Sequence, residues 1–158
     1  MKNLKNWFLK LRRPHRVSKP LVLSWIVLSF IGFADAAYLT IKHYQGEVPP
    51  CSVLRGCEIV TTSQYASMWG VPVALLGTVY YVCVLLLAFA YLDTKKPVFA
   101  GYVARLTSIG FGASLYFLYL QLFIIHAICL YCVASALTSI GLFITSAFVW
   151  YKDRRSFG

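Results

Sequence analysis

The sequence predicts an all-α membrane protein, a four-transmembrane-helix bundle with a large outer loop between helices 1 and 2. Three observations carry this. Of the 158 residues, 59% are hydrophobic and 13% charged, against about 45–50% and about 25% in soluble domains. A soluble fold this small cannot hide that much apolar surface, which excludes a soluble enzyme, a disordered chain and a nucleic-acid binder of the usual kind. Second, the apolar residues gather in four long stretches. Third, the net charge of +10 comes almost wholly from Lys and Arg outside those stretches, seven of the fifteen in the first 19 residues.

The spans follow in order. Residues 21–41 are broken only by Asp35, residues 71–92 carry no charge, residues 98–125 carry only Arg105, and residues 127–150 carry none. A helix needs about 20 residues to cross about 30 Å of hydrocarbon. In lipid the backbone must satisfy its own hydrogen bonds, which selects helices. The first span is too long for the apolar part of a signal peptide, and no small-residue cleavage motif follows it. Residues 1–158 read as one membrane domain whose first 19 residues form a basic cytoplasmic tail able to touch anionic lipid.

Charge sets the orientation. Twelve Lys/Arg lie in the N-terminal tail, the loop holding Lys95 and Lys96, and the C-terminal tail; two, Lys42 and Arg55, lie in the long loop. Positive charge favours the cytoplasmic side, so both termini are expected there, in a plasma or inner membrane. Arg105 can snorkel back to that surface.

One loop is large enough to hold a site. Residues 42–70 contain Pro49-Pro50, Cys51, Cys57 and the polar run Thr61-Thr62-Ser63-Gln64. The two prolines force an extended path. Residues 58–67 can form a short interfacial helix. Gly70-Val71-Pro72 reads as a break followed by proline in the first turn of span two.

Four of the five cysteines fall at the outer end, where disulfides persist. Cys51 and Cys57 are in the loop, and Cys129-Leu130-Tyr131-Cys132 opens span four. A helix N-terminus favours the thiolate, the attacking species in disulfide exchange. The i, i+3 spacing places both sulfurs on one helix face, with Cys132 about 4.5 Å deeper. That arrangement suits electron transfer between water and a membrane-soluble acceptor. The same residues also suit two buried small hydrophobes, two static disulfides, or a tetrahedral zinc site on four cysteines. Cys83, in mid-membrane, reads as a buried hydrophobe.

Two other residues carry alternatives. Asp35 lies about 9 Å from the outer surface and Cys132 about 7 Å deep, so the two share a level. Asp35 is then either a proton carrier or a structural carboxyl bonded to Ser or Tyr neighbours. His126, one turn before Cys129, either favours its thiolate or is simply solvated.

Taken together, Gly32-Phe33-Ala34-Asp35-Ala36-Ala37-Tyr38-Leu39, the pair Cys51 and Cys57, Ser63, Gly70-Val71-Pro72, Gly77 and Cys129-Leu130-Tyr131-Cys132 make a pattern. It resembles the vitamin K epoxide reductase family in its bacterial and archaeal branch, over nearly the whole chain. The resemblance implies a bundle enclosing a quinone, ubiquinone or menaquinone, near its outer face. It implies that Cys129 and Cys132 are oxidised by the quinone; Asp35 and Ser63 are expected beside it, and no metal is expected. It implies that Cys51 and Cys57 carry electrons from a thioredoxin-fold, DsbA-like protein. Many members carry that domain fused after the helices; this chain ends at Gly158, so a separate partner is expected. The net outcome is disulfide formation in exported proteins. Family members that reduce vitamin K epoxide place hydrogen-bonding side chains where this sequence aligns Val73 and Ala136, which points to a simple respiratory quinone. The other four-helix quinone-linked oxidase, the DsbB type, has its cysteine pairs in the reverse order.

Overall fold

A computed structural model describes residues 17–50, 56–68 and 70–155. Helix α1 spans Lys19–Gln45, α2 Gly56–Thr61, α3 Val73–Thr94, α4 Pro97–Tyr119 and α5 Leu130–Arg155; a π-helical turn, Leu120–Ile124, extends α4. Two-residue strands, β1 (Ser67–Met68) and β2 (Val71–Pro72), pair antiparallel between α2 and α3. Four helices are long and apolar enough to cross a membrane, and the chain is an all-α, multi-pass membrane bundle. Around the ring, α1 packs on α3, α3 on α4, α4 on α5, and α5 back on α1.

The packing follows from the solvent. Lipid tails are as apolar as leucine, so nothing drives large hydrophobic side chains inward, and interfaces favour small residues that let backbones approach. Phe30, Leu86, Ile109 and Ile144 accordingly face outward, while Ser29, Ala36, Ala88, Thr107, Ser139 and Ser146 are buried. A Cβ built at Gly77 would stand 3.5 Å from Ala36 Cβ, ordinary contact that keeps α1 and α3 close. At Gly32 a Cβ would overlap the Tyr81 ring, so only glycine admits that ring between α1 and α3.

Element boundaries differ from expectation for local reasons. Helix α1 runs a turn past its apolar stretch and stops at Gly46, whose φ of 67° caps it; a helix leaves the membrane without unwinding if a cap lies further on. Helix α3 begins at Val73, not 71, because Val71 and Pro72 are held in the hairpin and Pro72 is the N-cap, not a first-turn residue. The loop helix covers Gly56–Thr61 rather than residues 58–67, since Ser67 is drawn into β1. Helix α5 starts at Leu130, not 127, because His126 takes φ 52° and breaks the chain before it. Cys83 is exposed on the lipid-facing side of α3, not buried in the bundle.

Candidate functional site

The end of the bundle that carries the long loop is hollow. A cavity of about 670 Å³ opens between the upper helices and the loop, lined mainly by apolar residues, with Cys132, Ser63, Val73, Ala136 and Gln121 on its wall. That size is ordinary for a small-molecule site. Cys132 reaches it because residues 132, 135, 136 and 139 lie on one face of α5, and all four line the cavity.

Cys129 precedes the helix as its cap. Its carbonyl accepts the Val133 N–H at 3.0 Å, the first helical bond of α5. Its sulfur is held by the Cys132 thiol first, then by the Cys132 and Tyr131 N–H groups, and this lowers its pKa to about 7 against the opposing effect of burial. The two amides are the N2 and N3 donors that an N-cap side chain normally satisfies. Asp35 stands near enough that its charge opposes the Cys129 thiolate.

The approach to Cys129 is fixed by Gln121, a residue the sequence did not single out. The π turn brings the 4%-exposed Gln121 inward. Its backbone carbonyl accepts Ala127 N–H at 3.1 Å and its side-chain Oε1 accepts Cys129 N–H at 3.0 Å. A π turn often marks a functional position in a helix, but nothing in the apolar run of residues 98–125 announces one.

The loop cysteine meets this assembly directly. Cys57 and Cys129, both essentially unexposed, share one buried cluster with Val60 and Ala127, and Cys132 packs against it. Gly56 allows this. A Cβ there would lie 2.5 Å from the Ile128 carbonyl oxygen and 2.7 Å from its nitrogen, so α2 sits against the backbone beside Cys129 only with glycine at its start. Tyr131 adds a tether: its hydroxyl donates to the Pro50 carbonyl at 3.4 Å and its ring packs on Tyr38 at 5.3 Å. Cys57 is disulfide-bonded, whereas Cys129 and Cys132 are free thiols. Cys51 lies outside the described residues.

Of the other expected site residues, Ser63 lines the cavity and donates its hydroxyl to the Val60 carbonyl at 2.8 Å. Asp35 does not line it; one carboxylate oxygen is buried without a hydrogen-bond partner, so the expected bonds from that oxygen to Ser or Tyr neighbours are not made. His126 is exposed and takes no part in holding the Cys129 sulfur. The left-handed backbone at His126 breaks the one-turn relation to Cys129 that a continuous helix would have given.

Four spans, a loop cysteine buried against a C-x-x-C, and an apolar cavity that begins at the inner cysteine define a four-helix membrane protein of thiol-bearing type. The chain matches the vitamin K epoxide reductase family over residues 23–147, all but the start of the first span and the end of the fourth. It belongs to that family. It is similar to the thiol-disulfide oxidoreductase LTO1 of Arabidopsis thaliana, with 35% identity over 122 residues, 71% of this chain and 32% of the relative. The chain therefore spans about a third of the length of that curated relative.

Proposed function

We propose that this chain is a quinone-dependent thiol oxidoreductase that reoxidises a separate thioredoxin-fold, DsbA-like protein and so drives disulfide formation in exported proteins. The observation that carries this is the burial of Cys57 against Cys129 while Cys132 opens on the cavity. The reading also takes the termini as cytoplasmic and the cysteines as lying on the outer side of a plasma or inner membrane, on the charge bias of the tails and loops.

The chemistry follows from placement. The partner's dithiol reduces a Cys51–Cys57 disulfide and leaves as a disulfide itself. A loop thiolate then attacks Cys129 in a Cys129–Cys132 disulfide, and Cys132 leaves as the thiol next to the cavity. The second loop thiol attacks the mixed disulfide, which restores the loop disulfide and releases Cys129, whose lowered pKa makes it a good leaving group. A quinone in the cavity, either ubiquinone or menaquinone, supplies the two-electron acceptor that returns the C-x-x-C to its disulfide. The cavity fits such a group: it is apolar, adequate in size and bounded by Cys132 and by buried hydroxyls without partners. Ser63 faces it from the loop. Asp35, close to the cysteines but behind the wall, serves to hold or pass a proton released by the thiols.

The zinc alternative is disfavoured by a disulfide at Cys57, since a disulfide sulfur is not a thiolate ligand. Reduction of vitamin K epoxide is disfavoured by Val73 and Ala136, which line the cavity and offer no side-chain hydrogen bond.

The test is a set of variants assayed with a thioredoxin-fold dithiol and with a small dithiol. Cys51→Ala and Cys57→Ala should lose more than 90% of the protein-driven reaction, on the order expected when a nucleophile is removed, and keep that driven by the small dithiol. Cys132→Ala should abolish both and trap a loop-to-Cys129 disulfide visible on non-reducing gels. Asp35→Asn should slow quinone reduction alone. Full protein-driven activity without the loop pair would overturn the relay, and stoichiometric zinc in the purified protein would favour the structural alternative.

A further inference from the structure

Two adjacent tyrosines on α3 have opposite fates. The Tyr81 hydroxyl is fully engaged, 2.7 Å from the Ser135 carbonyl and 2.8 Å from Thr138 Oγ1. The Tyr80 hydroxyl is buried with no hydrogen-bond partner, and so is Ser139 Oγ on α5. Both residues line the cavity, and Ser139 is only 3% exposed. The two oxygens approach one another without closing a hydrogen bond of acceptable geometry. The tip of Tyr80 is pinned: a Cβ at Gly110, on α4, would stand 2.4 Å from its hydroxyl. Three helices thus converge on one polar point in a mainly apolar chamber.

Buried polar groups are nearly always satisfied, and each exception calls for a cause. In a membrane interior the cost of leaving two unmatched is not recovered from water. Ser139 lies two helical turns, about 10.5 Å, below Cys132 along α5, which leaves room for a ring between the thiol and the hydroxyls. We propose that Tyr80 and Ser139 are the residues that hydrogen-bond the ring oxygen of the bound quinone farther from Cys132. This deepens the reading above and rests on it. A hydroxyl both donates and accepts, so the pair serves a carbonyl oxygen as donor and a ring hydroxyl as acceptor. It can therefore hold the ring before and after reduction. Val73 and Ala136, on the same wall, can do neither.

The experiment measures binding of decylubiquinone and of a short-chain menaquinone to the purified, detergent- or nanodisc-held protein and to Tyr80→Phe, Ser139→Ala and the double variant. Each single change should weaken quinone binding about fivefold and the double about 25-fold, the loss of one neutral hydrogen bond each. The carbonyl stretch of bound quinone should be shifted to lower frequency in the wild type and return towards its free value in the double variant. The ligand-free variants should unfold no more easily than wild type, because no internal bond is removed. If the wild type binds neither quinone, the reading of the site fails. If it binds and the double variant binds equally well with an unchanged carbonyl stretch, the assignment of Tyr80 and Ser139 fails while that reading stands. Loss of ligand-free stability in both variants would mark the hydroxyls as structural and also overturn the assignment.

Discussion

The two ends of the bundle are built on different rules. At the end carrying the α3–α4 turn the helices close on solid packing: Val22, Trp25, Val84, Ala88, Tyr91 and Val103 are buried together. Trp25 meets Tyr91 edge-on at 6.3 Å, and the Tyr91 hydroxyl accepts Val17 N–H at 2.7 Å. At the loop end the same four helices part around a 670 Å³ cavity, roofed by a hairpin and a six-residue helix. There the chain uses a π turn, a left-handed His126 and a glycine pressed on backbone, features that regular packing avoids. The contrast teaches that one end supplies stability so that the other can keep an open chamber, the usual division between scaffold and site.

The largest stability effect should come from the packed end. Trp25→Ala should cost about 3 kcal/mol, the low side for removal of a buried Trp, because lipid rather than water is the reference for the exposed side chain. Unfolding in mixed detergent micelles would show it, and the cysteine chemistry of the surviving folded fraction should be unaltered. A large change in that chemistry with little loss of stability would break the division between the ends.

Gly56→Ala tests the loop end in the opposite way. The added methyl meets the Ile128 backbone, which cannot swing aside as a side chain can, so α2 must move. Electron transfer from the protein partner should fall about tenfold, given the sensitivity of such steps to displacements near 1 Å, with reduction by a small dithiol retained. Thermal stability should change little, since α2 lies outside the core of the four long helices. Equal loss with both reductants would mean that α2 shapes the C-x-x-C itself.

The pH response sharpens the same comparison. The Cys129 pKa is lowered to about 7, so its thiolate predominates above that pH and is lost as pH falls through it. The associated stability is complete above the ordinary thiol range, near pH 9, and is lost on acidification through about 7. Thiolate ultraviolet absorbance of a reduced variant lacking Cys51, Cys57 and Cys83 should titrate with a midpoint near 7. Cys132→Ala should move that midpoint upward, because the Cys132 thiol is the largest cause of the shift. A midpoint unmoved by Cys132→Ala would assign the effect to the helix terminus instead.

The smallest effect belongs to Cys83→Ala. Cys83 faces lipid on α3, so its removal should leave stability within about 0.5 kcal/mol, as for surface changes, and leave partner oxidation intact in the assay used for the other cysteines.

Composition and the length of the apolar runs were enough to settle the class of fold. Apolar runs of about 20 residues in a chain this short admit only membrane helices, because the energetics of burying backbone in lipid depend on composition and length alone. The sequence also marked Cys57, Cys129, Cys132 and Ser63 as belonging to one end, since span order and position within a span are one-dimensional facts. What it could not carry was how that end is assembled. Gln121 looks like one polar residue in an apolar run until the π turn brings it to Cys129. Gly56 looks like any loop glycine until α2 meets Ile128. Tyr80 and Tyr81 are indistinguishable as letters, yet successive residues on a helix point about 100° apart, so one hydroxyl finds Ser135 and Thr138 and the other finds the cavity. The span boundaries shifted by one to five residues for the same reason: hydropathy records which residues tolerate lipid, while caps, hairpins and contacts with other segments decide where a helix begins and ends. Which residues tolerate the membrane is local chemistry; which of them face one another is set only when the four helices close.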